Sequence, residues 1–95
     1  NLNLASFYKM KLRGGFFKDC SLQEVDFSNC DLSLSEFINC DLLNAKFDQT
    51  NLEKTNFSTA YNFNINPEIN RIKKAKFSRS GLVGLLNQYD IVIED

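Results

Sequence analysis

Histidine and tryptophan are absent from this chain of 95 residues, and proline occurs once, at Pro67. Without histidine, the chain lacks the side chain that most often moves protons or binds metals near neutral pH. No nucleophile motif, phosphate-type glycine loop or metal-spaced cluster takes its place. Gly14 and Gly15 read as a turn and a small inward residue. Neither sign of charge dominates. Eleven Lys and Arg against twelve Asp and Glu leave a net charge of -1, which excludes a polybasic or strongly acidic chain. No run approaches the roughly 18 apolar residues of a membrane-spanning helix, and no signal peptide is recognisable. No catalytic residue, metal ligand or cofactor is therefore expected. Hydrophobic residues make up 43% and charged residues 24%, which argues for a globular chain over a disordered one.

What the chain does have is a repeat of period five. Every fifth residue from position 2 is large and apolar: Leu2, Phe7, Leu12, Phe17, Leu22, Phe27, Leu32, Phe37, Leu42, Phe47, Leu52 and Phe57. Leu alternates with Phe throughout. If about one residue in six were Leu or Phe by chance, such a run would arise roughly once in a billion trials, so the repeat is real. Two residues before each of these positions stands a mostly small residue, such as Ala5, Gly15, Cys20, Cys30, Ser35, Cys40 and Ala45. The other positions are largely polar. A period of five is neither that of a helix nor that of a long strand. It describes a short inward-facing step followed by a turn made by Asn, Asp and Ser. A chain that steps and turns in this way coils into a solenoid whose coils pair in parallel about 4.8 Å apart.

The segments CDLSL, CDLLN, TNLEK and TNFST resemble the pentapeptide-repeat family, and the resemblance covers residues 1–60. It implies an all-β fold, a right-handed quadrilateral parallel β-helix with four repeats and twenty residues per coil. On that period Phe7, Phe27 and Phe47 stack in one column and Phe17, Phe37 and Phe57 in the opposite one, with Leu columns on the other two faces. Ala75 and Phe77 keep the phase of Thr55 and Phe57, and Ile72 lies over Leu52. Asn62 and Pro67 break it. The solenoid is expected over 1–79, with an irregular last coil over 60–79. Residues 80–95 are expected to form a helix and strand cap. In it Leu82, Leu85, Leu86 and Tyr89 lie at helical spacing, Ser78 or Ser80 caps the start, and 90–94 (DIVIE) is the strand. The chain begins inside a repeat without an N-terminal cap, so it reads as a fragment or a processed chain.

The three cysteines are ten residues apart, which is not a zinc spacing, and they fall on the small inward position. They are expected to pack as reduced thiols in a cytoplasmic protein. The basic stretch RIKKAKFSR, with Arg71, Lys73, Lys74, Lys76 and Arg79, reads as a solvated rim rather than a nucleic-acid site. On a period of twenty, opposite charges meet at Lys11 and Asp31, Asp26 and Lys46, and Glu53 and Lys73. Exposed Leu34, Ile38 and Leu43 fall on different faces. Leu82, Val83, Leu85, Leu86, Tyr89, Ile91, Val92 and Ile93 exceed what one coil end can cover, and are expected to form a homodimer interface. The leading functional expectation is a non-catalytic scaffold that binds protein. The ending LVGLLNQYDIVIE also resembles that of the quinolone-resistance (Qnr-like) group within the family. That resemblance implies binding to DNA gyrase and topoisomerase IV by mimicry of DNA, which needs repeated acids along the axis.

Overall fold

A computed structural model describes residues 1–94. Its backbone repeats every twenty residues. Phe16–Lys18 (β1) pairs in parallel with Glu36–Ile38 (β2), placing Phe17 on Phe37. Isolated parallel bridges keep the same offset elsewhere, as in the column Lys11, Asp31, Asn51, Arg71 and the column Ser6, Asp26, Lys46. The strands are short because a turn interrupts each rung. Asp26 accepts a hydrogen bond from the N–H of Ser28 (2.8 Å), and Asn51 and Asn56 do the same for Glu53 and Ser58 (3.0 and 2.9 Å). The residue that ends each repeat then takes a left-handed conformation. At every fifth position from Leu4 to Lys54, φ lies between 52° and 71°. Such a turn favours Gly, Asn and Asp, and Gly14, Asp19, Asn29, Asn39 and Asn44 occupy it. The result is the right-handed β-helix that the repeat implies.

The lumen is filled by the predicted columns. Phe7, Phe27 and Phe47 stack with centroids 5.3 Å apart, and Phe17, Phe37, Phe57 and Phe77 stack at 5.0–5.4 Å. The two columns meet edge to face at 5.6–6.4 Å, a favourable arrangement for ring quadrupoles. Leu22, Leu32, Leu42 and Leu52 are fully buried on the remaining sides.

The coil does become irregular after residue 60. Phe63 and Ile65 enter the lumen where the repeat would place residues 62 and 67, and Phe63 packs on Phe57 and Phe77. The backbone ladder slips by one residue there. Leu22 donates to Asp41 and Leu52 to Arg71, nineteen residues ahead, whereas Gln49 donates to Ile69, twenty ahead.

Two expectations for the cap need correction. The helix is not α-helical: Ser80–Leu85 and Asn87–Tyr89 are two 3₁₀ segments. The Gly84 carbonyl accepts from Ile65 (2.8 Å) instead of closing an α-turn, and the bonds within the segment span three residues. Ser78 does serve its start, its Oγ accepting from Gly81 N–H at 3.0 Å. The strand over 90–94 is also not formed. Asp90 is left-handed (φ 49°), and residues 91–94 are exposed and pair with no edge among the described residues.

Candidate interaction surface

The interior offers little chemistry. Among the described residues, no group of three or more His, Cys, Asp or Glu side chains is placed to hold a metal ion. Cys20, Cys30 and Cys40 are free thiols. Burial pushes Cys30 and Cys40 above the ordinary thiol range, which disfavours the reactive thiolate. Both have a structural use. Cys30 Sγ donates to the carbonyl of Phe7 at 2.9 Å, and Cys40 Sγ to that of Phe17 at 3.4 Å. Ser35, Thr50 and Thr55 donate to Leu12, Phe27 and Leu32 over 2.7–2.9 Å, and Asn70 Nδ2 to Phe47 at 2.7 Å. Each bond runs back 23 residues, from the small position of one coil to a large residue of the coil before. In sequence these positions announce only small size. The bias toward Cys, Ser and Thr over Ala was the available signal.

The acidic turn residues are likewise committed inward. The hydroxyl and N–H of Ser33 donate to Asp31 at 2.7 and 3.1 Å and hold its carboxyl below the usual range, with Arg13 and Arg71 adding to the effect. Burial raises Asp41, but donors from Gln23 (2.7 Å), Asn62 (3.0 Å) and Leu43 N–H (3.1 Å) outweigh it, and the carboxyl is lowered. This explains a departure from the expected charge pairs. Lys11 does stack on Asp31 and Asp26 on Lys46 through the backbone, yet neither pair closes an ion pair. The two carboxylates bond their own turns instead. Glu53 pairs with Arg71 (3.1 Å) rather than Lys73, and Lys46 lies 3.9 Å from Asp48.

The predicted apolar ending divides into two sets. Leu85 packs against the core and Leu86 is half-buried. Leu82, Val83, Tyr89, Ile91, Val92 and Ile93 are exposed, Val92 to 84%. The cap is seated through Gly84, whose position leaves no room for a side chain: a Cβ there would lie 2.6 Å from the Phe63 ring and carbonyl. No helix among the described residues is long and apolar enough to cross a membrane.

A comparison with family models matches eight copies of the pentapeptide repeat over residues 1–37 and 35–61. No curated protein matches the chain by sequence. Among solved structures the chain is similar to QnrB1, a plasmid-mediated fluoroquinolone resistance protein, with 14% identity and a TM-score of 0.45. The alignment covers 97% of this chain but 45% of that one, so the chain spans under half its length. The eight repeats, the twenty-residue coil and the stacked Leu and Phe columns together identify this chain as a member of the pentapeptide-repeat family.

Proposed function

We propose that the chain is a non-catalytic solenoid that binds protein, and that its first partner is a second copy docked through the C-terminal cap. The observation that carries this is the exposed apolar set Leu82, Val83, Tyr89, Ile91, Val92 and Ile93, which follows the last coil at the C-terminal end. Contiguous apolar surface of this kind marks interaction sites. Sedimentation equilibrium tests it. A dimer is expected at micromolar concentration, weakened at least tenfold by Val83→Glu or Ile91→Glu. A monomer at every concentration up to the millimolar range would remove the interface.

A second reading, a type II topoisomerase partner, is supported by the likeness of LVGLLNQYDIVIE to the Qnr-like ending. The surface charge weighs against it in its DNA-mimicking form. The face carrying Glu24 and Asp41 has a net charge of -2, and no face carries a regular acidic stripe. Unchanged gyrase supercoiling, with or without a fluoroquinolone, at micromolar protein would reject it.

A further inference from the structure

The coil sorts the charges in a way that sequence order conceals. Residues 11–14, 31–34, 51–54 and 71–74 lie on one face, tied together by the bridges from Lys11 to Asp31 to Asn51 to Arg71. This face holds six cations, Lys11, Arg13, Lys54, Arg71, Lys73 and Lys74, against two carboxylates, Asp31 and Glu53, a net charge of +4 in a chain whose total is -1. All six cations are exposed. Asp31 is committed to Ser33 and Glu53 to Arg71. Lys11, Arg13, Lys54, Lys73 and Lys74 thus have no ion-pair partner among the described residues. Lys54, Lys73, Lys74 and Glu53 line a shallow cleft of about 260 Å³.

The cations form two groups. Arg71, Lys73 and Lys74 stand in the last coil with Lys54 one coil below them, and Lys11 and Arg13 stand in the first coil, three coils or about 14 Å below the last at 4.8 Å per coil. Between them lies Leu34, 43% exposed, one coil below Lys54. A ligand for this face therefore needs two anionic groups about 14 Å apart with an apolar group between them. A nucleic-acid strand offers an unbroken row of phosphates rather than two separated anionic groups. The chain's own ending meets the requirement. Asp90 and Glu94 flank Ile91, Val92 and Ile93, and at about 3.3 Å per residue four extended steps span about 13 Å. These three apolar residues are exposed and unpaired.

We infer that the basic face receives the segment Asp90–Glu94 of a second copy of this chain. Asp90 meets Lys73 and Lys74; Val92, on the same strand face as the two acids, covers Leu34; and Glu94 meets Arg13. The densest cations lie in the last coil, beside the cap. Two copies facing each other through their C-terminal ends exchange segments reciprocally, and the contact closes as a pair rather than a filament. The inference rests on the dimer proposed above and gives it a location and a dependence on charge.

Sedimentation equilibrium of the whole chain at 50 and 500 mM NaCl is the first test. Docking by charge predicts a dissociation constant at least tenfold larger at the higher salt, because exposed charges are screened. Reversing the face (Lys73→Glu with Lys74→Glu) or the tail (Asp90→Lys with Glu94→Lys) is expected to weaken the dimer at least tenfold. Combining all four substitutions is expected to restore most of the affinity. Lys46→Glu, on a neighbouring face, is expected to change it less than twofold. A dimer indifferent to salt and to both reversals overturns the inference while leaving the dimer intact. A chain that is monomeric at both salt concentrations overturns both. All substituted side chains are exposed, and the salt series needs no variant at all.

Discussion

Asp31 shows how a polar surface residue holds this fold. Its carboxylate closes a turn by accepting from the N–H and hydroxyl of Ser33, and it is ionised in doing so. A carboxyl lowered in the folded state contributes stability above its unfolded pKa of about 4, and that contribution is lost as pH falls through the folded value. Asp31 and Asp41 are both lowered. The melting temperature is therefore expected to be level from pH 7 to about 5 and to fall below about pH 4. Asn51 and Asn56 make the same turn bond without a charge. Asp31→Asn keeps both Ser33 bonds on one oxygen and should lose less stability between pH 5 and 2 than the parent. An identical decline in thermal melts would show that the ionised form contributes nothing special. Asn, Asp and Ser between the large residues were legible in the sequence as turn chemistry. The left-handed conformation three residues later was not, because Leu34, Glu24 and Lys54 adopt it without being residues that favour it.

At the scale of the element, the cap depends on one glycine. Gly84 is buried against Phe63 and its carbonyl holds Ile65 N–H. Adding a methyl group brings it against the Phe63 carbonyl, which cannot swing aside as a side chain would. Gly84→Ala is expected to cost about 1–3 kcal/mol, the range for overpacking. The loss should centre on the cap, and faster hydrogen exchange at Ile65 than at Leu32 would register it. Unchanged protection at Ile65 would mean that the cap is seated by other contacts. The apolar spacing of 82–89 announced a helix and was right about compactness. It forms as 3₁₀ turns, and the Gly84 carbonyl accepts from Ile65, a contact that local sequence does not encode. The strand expected over 90–94 had the right residue types, and β-branched residues favour strands. A strand also needs a paired edge, and residues 91–94 find none among the described residues.

At the scale of the molecule, the stacked rings make the coils one unit. Phe37 contacts Phe17 and Phe57 face to face and Phe27 and Phe47 edge to face, linking three coils. Phe37→Ala is expected to cost about 3–5 kcal/mol, a large share of the roughly 5–15 kcal/mol of a small domain. Because the cavity lies between coils, the loss should appear as a lower midpoint of a single urea transition. Two separated transitions would mean that the coils unfold independently. Charge also acts at this scale. Read by position in the chain, acids and bases nearly cancel. Folded, six cations share a face with two carboxylates that are already engaged.

The sequence by itself determined the repeat. A large residue every fifth position, with a small one two before it, sets a step and a turn every five residues; the twenty-residue coil, and with it the Leu and Phe columns, is what the family resemblance implies and what the parallel pairing at that offset carries. The tertiary structure decided everything that depends on what lies one coil away. It set the 23-residue donor bonds, the entry of Phe63 and Ile65 into the lumen, the choice of Arg71 over Lys73 as the partner of Glu53, and the gathering of cations on one face. The physical reason is range. Turn chemistry and burial act over a few residues and leave a local signature, whereas contacts between stacked coils join residues about twenty apart, whose pairing exists only after the coil has closed.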